Sequence, residues 1–284
     1  MTSMIGKTIR RWWIVFLLPT IVAFLIGFLV PFIMGVYLSF TRFTTVSDSR
    51  WVGLDNYRGV FSDKEFQHAL VFTVLFTLVT TLVVNVAGFF VAYMFTKAMK
   101  GANLFRAVFF MPNLIGGIIL GYVWQLLLNA VFGHWGRSLT YSGTYGFWGL
   151  VILMCWQQIG YMMVIYIAGM QALPDDVMEA AAVDGASSRQ ILFKVTIPLM
   201  MPSITVCTFL TVTNGFKLFD QNLALTNGAP SNTSEMLALN IYRTFYGRTG
   251  YEGVGQAKAV IFFIIVAIVA LIQNRLTTRK EVTA

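Results

Sequence analysis

Charge is scarce in this sequence. Lys, Arg, Asp and Glu make up 11% of its 284 residues, against about 25% in soluble domains, which excludes an ordinary water-soluble globule. Histidine and cysteine are scarcer still, with two of each. Cys155 and Cys207 both fall inside apolar runs, where a thiol packs as a small hydrophobe; a disulfide framework or metal set is not expected. His68 and His134 stand far apart beside polar segments and read as surface residues. No Ser/His/Asp group, His/Cys cluster or carboxylate pair stands out, so a catalytic role is not expected. "GKT" at 6–8 matches the end of a phosphate-binding loop, but the leading glycine would fall on Met1 and no strand precedes it. "NTS" at 232–234 fits a glycosylation sequon too common to carry weight.

Apolar residues, by contrast, make up 57% of the chain. A helix crossing about 30 Å of hydrocarbon needs roughly 20 of them in a row. Six stretches qualify, at about 14–40, 66–95, 105–129, 147–172, 199–219 and 257–274. The expected fold is therefore all-α: one polytopic membrane domain over 1–284 with six transmembrane helices. The first run has the basic lead of a signal peptide but is too long for one, and it reads as an uncleaved span. "GIILG" at 117–121 puts small residues four apart, as in closely packed membrane helices.

The net charge of +8 is spread over the ends of these runs and forms no patch. Lipid headgroups rather than nucleic acid are its expected counter-charge. Lys7, Arg10 and Arg11, then Lys97, Lys100 and Arg106, then Arg275, Arg279 and Lys280 occupy three short segments whose one acid is Glu281. With six spans these segments share one side, which the positive-inside rule makes the cytoplasm, along with both termini. The opposite face would carry 41–65, 130–146 and 220–256.

One segment on the cytoplasmic side does not fit that rule. Residues 173–200, "LPDDVMEAAAVDGASSRQILFKVTIPLM", bring Asp175, Asp176, Glu179 and Asp184 to the face that meets anionic lipid. Pro174 ends the fourth span, and Asp175 is expected to cap a short helix that Asp184-Gly185 stops. Ser187 or Ser188 is expected to cap a second short helix, "RQILFKVTI", ended by Pro198. A plain solvated loop has no need of the smooth surface of Ala180, Ala181, Ala182 and Ala186. An acidic helix faced with alanine makes sense there if a soluble protein covers it.

This segment resembles the EAA loop of importer-type ATP-binding cassette permeases. "EAAAVDGA" supplies Glu179, Ala180, Ala181, Asp184, Gly185 and Ala186 at that motif's offsets, with Pro198 a dozen residues on. "LLPTIVAFLIGFLVPFIMGVYLSF", "WVGLDNYRGVFSD" and "LTNGAPSNTSEMLALNIYRTFY" extend the resemblance to sugar permeases of the carbohydrate-uptake class, and to the maltose-type first permease more than to its second. Ala229 departs from it, at a position where the family commonly has a second glycine. The resemblance implies that Glu179 meets a cytoplasmic ATPase, Ala180, Ala181 and Ala186 allow close approach, and Asp184-Gly185 shape the turn. ATP and Mg would sit on that partner ATPase pair, with no cofactor in this chain. A second, different permease subunit and an extracytoplasmic solute-binding protein would complete the importer, set in a bacterial or archaeal inner membrane.

Polar groups inside spans are costly unless they face a cavity or a partner. Trp156, Gln157, Gln158 and Tyr161 in the fourth span, with Asn214 and Lys217 in the fifth, are the candidates for a sugar path, Asp220 following at its end. Interhelical hydrogen bonding competes as an explanation for each, and is favoured for Asn85. A sugar phosphate or polyol stays open as substrate, although a phosphate would want arginines in the cavity. An ion-coupled secondary transporter, the alternative of another class, would need mid-membrane acids or histidines that the spans barely supply.

Overall fold

The computed structural model describes residues 2–96 and 101–278, with side chains from residue 12 onward. Lys97, Lys100, Arg279, Lys280 and Glu281, and the side chains of Lys7, Arg10 and Arg11, lie outside what is described. Helix dominates. Among the described residues four helices are long and apolar enough to cross a membrane, Trp12–Leu38, Lys64–Thr96, Gly143–Gln171 and Glu252–Thr278, or up to six if each of two bent pairs is one span.

The chain divides into two compact units. The first, Met1–Ser62 with Ile241–Ile261, starts with α1 (Thr2–Phe24), which runs through a π-helical turn at Leu25–Leu29 into α2 (Val30–Leu38). The wider turn comes just before Pro31, whose ring and missing N–H disrupt regular helical bonding. A two-residue hairpin, β1 (Thr41–Arg42) with β2 (Arg50–Trp51), follows, and then α3 (Asp55–Ser62). The buried Asn56 ties this region together, its amide donating to Ser39 O and Thr41 O at 2.8 Å each. Lys258 is buried in the same unit and donates to Thr244 Oγ1 at 2.8 Å.

The second unit, Asp63–Asn240 with Phe262–Ala284, is built on α4 (Lys64–Thr96), which packs along its length on α7 (Gly143–Gln171). Gly88 permits the approach: a Cβ there would lie 3.2 Å from that of Met162. Between them come α5 (Ala102–Phe110) and α6 (Gly117–Gly133). The span expected at 105–129 is not straight, because α5 and its short 3-10 extension meet α6 at 100°. Pro112 lies in that 3-10 turn, and Ile115 and Gly116 are extended, with ψ of 130° and 139°. Three features that each oppose α-helix therefore fall within five residues.

After α7 come α8 (Asp175–Val183), α9 (Ser188–Ile191), a π-helical turn at Leu192–Thr196, α10 (Ile197–Leu199) and α11 (Met201–Phe216). The span expected at 199–219 corresponds to α11, and a second bend falls at its start, where the preceding stretch meets α11 at 68°. Pro202 has no N–H to offer the Pro198 carbonyl, so the ladder fails at that bend. Pro198 does not terminate the preceding helix as expected, and the wide turn before it makes room for the ring. Among the described residues three helices follow: α12 (Asp220–Leu225), α13 (Leu237–Gly247) and α14 (Glu252–Thr278). The glycines of "GIILG" do pack closely: a Cβ on Gly117 would lie 2.8 Å from Asp220 Cβ, and one on Gly121 2.7 Å from Ala224 Cβ.

Candidate functional site

Cys155 and Cys207 are free and buried, and His68 and His134 are exposed, each ring nitrogen 3.0 Å from a backbone oxygen, of Thr233 and Ala130. Among the described residues no three His, Cys, Asp or Glu side chains gather as metal ligands.

Polar side chains do gather in the second unit. Gln157 and Gln158, 5% and 7% exposed, face with Asn214 and Lys217 onto an open cavity of about 330 Å³ that Asn113, Gln221, Met154 and Leu218 also line. Asn214 Nδ2 donates to Gln158 Oε1 at 3.4 Å, and Gln221 Nε2 to Gln157 Oε1 at 3.0 Å. Gln157 Nε2 reaches the Ile115 carbonyl at 3.4 Å, a backbone oxygen at the break between α5 and α6. Two of these three bonds are long, so the amides hold one another loosely and keep capacity for a guest.

The frame around the cavity is firmer. Asn222, fully buried, donates from Nδ2 to Ser234 O at 2.8 Å and Thr226 Oγ1 at 3.0 Å, and accepts from Met236 N at 2.9 Å. These bonds, with the glycine contacts to α6, fix α12 and with it Gln221. On α7, Gly160 lies so close to α5 that any Cβ would overlap the Phe109 carbonyl.

Four of the six sequence candidates thus converge, and two do not line the cavity. Trp156 is 43% exposed on a stripe with Trp148 and Ile152, and meets Trp124 edge to face at 5.6 Å. Tyr161 packs against the apolar core, its ring 6.3 Å from that of Phe110. Asn113 and Gln221 were not among the candidates. Pro112 and the glycine pair at 116–117 are the signal that could have pointed to Asn113, because irregular backbone at membrane depth is tolerated where it lines a cavity.

Asn85 behaves as a packing residue. Its Nδ2 donates to Thr81 O and Thr211 Oγ1 at 2.8 Å each, and its Oδ1 accepts from Tyr166 at 2.7 Å, which joins α4, α7 and α11.

The second candidate region is the segment between α7 and α11. Pro174 takes the N-cap position of α8, with φ −66° and ψ 124° and no side-chain cap. Asp175 is therefore not the cap expected from sequence. The proline's own extended ψ starts the helix one residue earlier, and both aspartates sit in the first turn, where negative charge suits the helix dipole. After Val183 the chain turns through Gly185 at φ +80°, and Ala186 N bonds to Ala181 O at 3.1 Å. Ser187, not Ser188, caps α9: it forms a capping box in which Gln190 Oε1 accepts from Ser187 N at 2.7 Å. Nothing in α8 is buried. Glu179, Ala180 and Asp184 are exposed and Val183 is 87% exposed, while Ala181 and Ala186 are half-buried.

Residues 85–282 match the family of binding-protein-dependent transport system inner membrane components. Among curated relatives, the probable starch degradation products transport system permease protein AmyD of Thermoanaerobacterium thermosulfurigenes is 43% identical over 95% of both chains. The multiple sugar-binding transport system permease protein MsmF of Streptococcus mutans is 32% identical, over 82% of this chain and 83% of its own. Among solved structures, a chain of a bacterial ABC transporter involved in the import of the acidic polysaccharide alginate superposes with a TM-score of 0.81 at 21% identity, over 97% of this chain and 98% of that one.

Proposed function

The chain belongs to the family of binding-protein-dependent transport system inner membrane components, and from that premise we propose that it is one permease subunit of an ATP-driven sugar importer. The observation that carries this reading is the polar cavity. Five amide side chains, Gln157 and Gln158 of α7, Asn214 of α11, Asn113 of the turn between α5 and α6 and Gln221 of α12, converge with Lys217 on one space. Amides both donate and accept, which suits the hydroxyls of a sugar, and the 43% identity to a permease for starch degradation products supports an oligosaccharide as the cargo.

The exposed helix α8 is the docking element for a cytoplasmic ATPase in this reading. Its alanines let another backbone come close, Glu179 offers a charge, and the left-handed turn at Gly185 sets the angle to α9. Energy comes from ATP and Mg on that partner, which biases the permease by binding its two access states differently. A second permease supplies the other half of the path, and an extracytoplasmic binding protein delivers the sugar. The six-span topology puts both termini and residue 187 in the cytoplasm.

Reconstitution of the assembled transporter in vesicles tests the whole reading. ATPase activity should rise when the binding protein is added with an oligosaccharide that it carries, and not with the binding protein alone. A cytoplasm-only reporter should be active near residue 187 and silent after residue 230. Sugar-independent ATPase with no uptake of any oligosaccharide would refute the sugar assignment.

A further inference from the structure

The cavity holds a group that a neutral sugar does not require. Lys217 lines it, is exposed, and its ammonium makes no hydrogen bond or ion pair among the described residues. No carboxylate lines the same space. Asp220, three residues on, packs its Cβ against Gly117 and is not part of the lining. The fold explains how such a charge is tolerated: Lys217 is the C-cap of α11, and a cation is favoured at the carbonyl end of a helix. The ammonium therefore needs no acid to hold it in place, and its three donors stay open to whatever enters.

We propose that Lys217 is a specificity-determining residue that allows the path to carry a sugar bearing one carboxylate, a uronic-acid-containing oligosaccharide. The inference rests on reading this cavity as the sugar path. One ammonium matches one negative charge. A phosphate monoester carries nearly two near neutral pH, and no arginine is present in the lining to share it. The amides of Asn113, Gln157, Gln158 and Asn214 are left for the hydroxyls. No aromatic ring lines the cavity, so hydrogen bonds and this charge, rather than stacking, provide the recognition.

The test uses the complete transporter with its binding protein and two labelled trisaccharides, one neutral and one with a terminal C6 carboxylate in place of the hydroxyl. The readout is the ratio of charged to neutral uptake. Lys217→Met should lower that ratio about tenfold, the effect of one charge-assisted hydrogen bond. Lys217→Cys should lower it similarly, and labelling the new thiol with an aminoethyl reagent should restore it, whereas a neutral hydroxyethyl reagent should not. Cys155 and Cys207 are buried, which directs both reagents to the introduced thiol. An unchanged ratio in Lys217→Met, or equal recovery with both reagents, would overturn the proposal. Wild-type uptake of the neutral trisaccharide alone would overturn it too, while leaving the sugar path intact.

Discussion

The Tyr166 hydroxyl donates to Asn85 Oδ1 at 2.7 Å, from the C-terminal part of α7 to that of α4. Asn85 in turn donates to Thr211 Oγ1 at 2.8 Å, so one amide bridges three helices away from the polar cavity. Bonds of this kind are worth about 0.6 kcal/mol on average and up to about 1.7 kcal/mol. Tyr166→Phe should therefore cost about 1 kcal/mol, and Asn85→Leu more, because it removes the bonds to both Tyr166 and Thr211 at once. Thermal unfolding in detergent checks this. Normal stability with lost uptake would assign the network to transport instead.

Gly160 allows a second prediction. Its missing side chain is what lets α7 lie against the Phe109 carbonyl, and backbone cannot swing aside as a side-chain tip can. Gly160→Ala should cost at least the ~1–3 kcal/mol of ordinary overpacking and reduce the folded protein recovered. Gly133→Ala, where an added Cβ meets nothing within 4 Å, is the control and should fold normally.

The loosely paired amides provide the third. Gln157→Leu and Asn214→Leu each remove a hydrogen-bonding group from the cavity, at about 1–3 kcal/mol when the partner stays unsatisfied. Uptake should fall roughly tenfold or more while the partner subunits still co-purify. Loss of the complex itself would make these residues structural.

At Gly185 the backbone rather than the space is limiting: φ is +80° and a Cβ there would meet nothing within 4 Å of this chain. Gly185→Val should thus cost roughly 1–2 kcal/mol of left-handed strain and shift α8 relative to α9. Glu179→Lys changes the charge and leaves the fold alone. Both variants should reach the membrane in near-normal amounts but retain less ATPase on solubilisation, with uptake reduced. Ser188→Ala lies beside the capping box without being part of it and should do little. Full ATPase retention in both motif variants would return the segment to a plain loop.

Much of this was legible in the residues. The second, fourth and sixth spans lie almost wholly within helices of the structure, because long apolar runs leave the chain little choice. The short helices around Gly185 also follow from local chemistry, since a glycine stop and a Ser187–Gln190 capping box act within a few residues. The breaks at 111–116 and 198–202 were harder to see, because hydropathy counts carbon and overlooks a missing N–H. Trp156 and Gln157 are neighbours in sequence but about 100° apart around the helix, so an aromatic-plus-amide cluster read along the chain splits between two faces. Gln221 could not be found by looking within spans, since it is carried on a separate short helix that two glycines of α6 draw in.

The break between α5 and α6 has a consequence for how such proteins diversify. The oxygen that Gln157 reaches there belongs to the main chain of Ile115, and every amino acid carries that oxygen. Substitution at 115 can change bulk but cannot delete the acceptor. A lineage drifting toward a new cargo would keep this fixed point and explore through the side chains around it, above all the cation at 217 and the amides at 113 and 221.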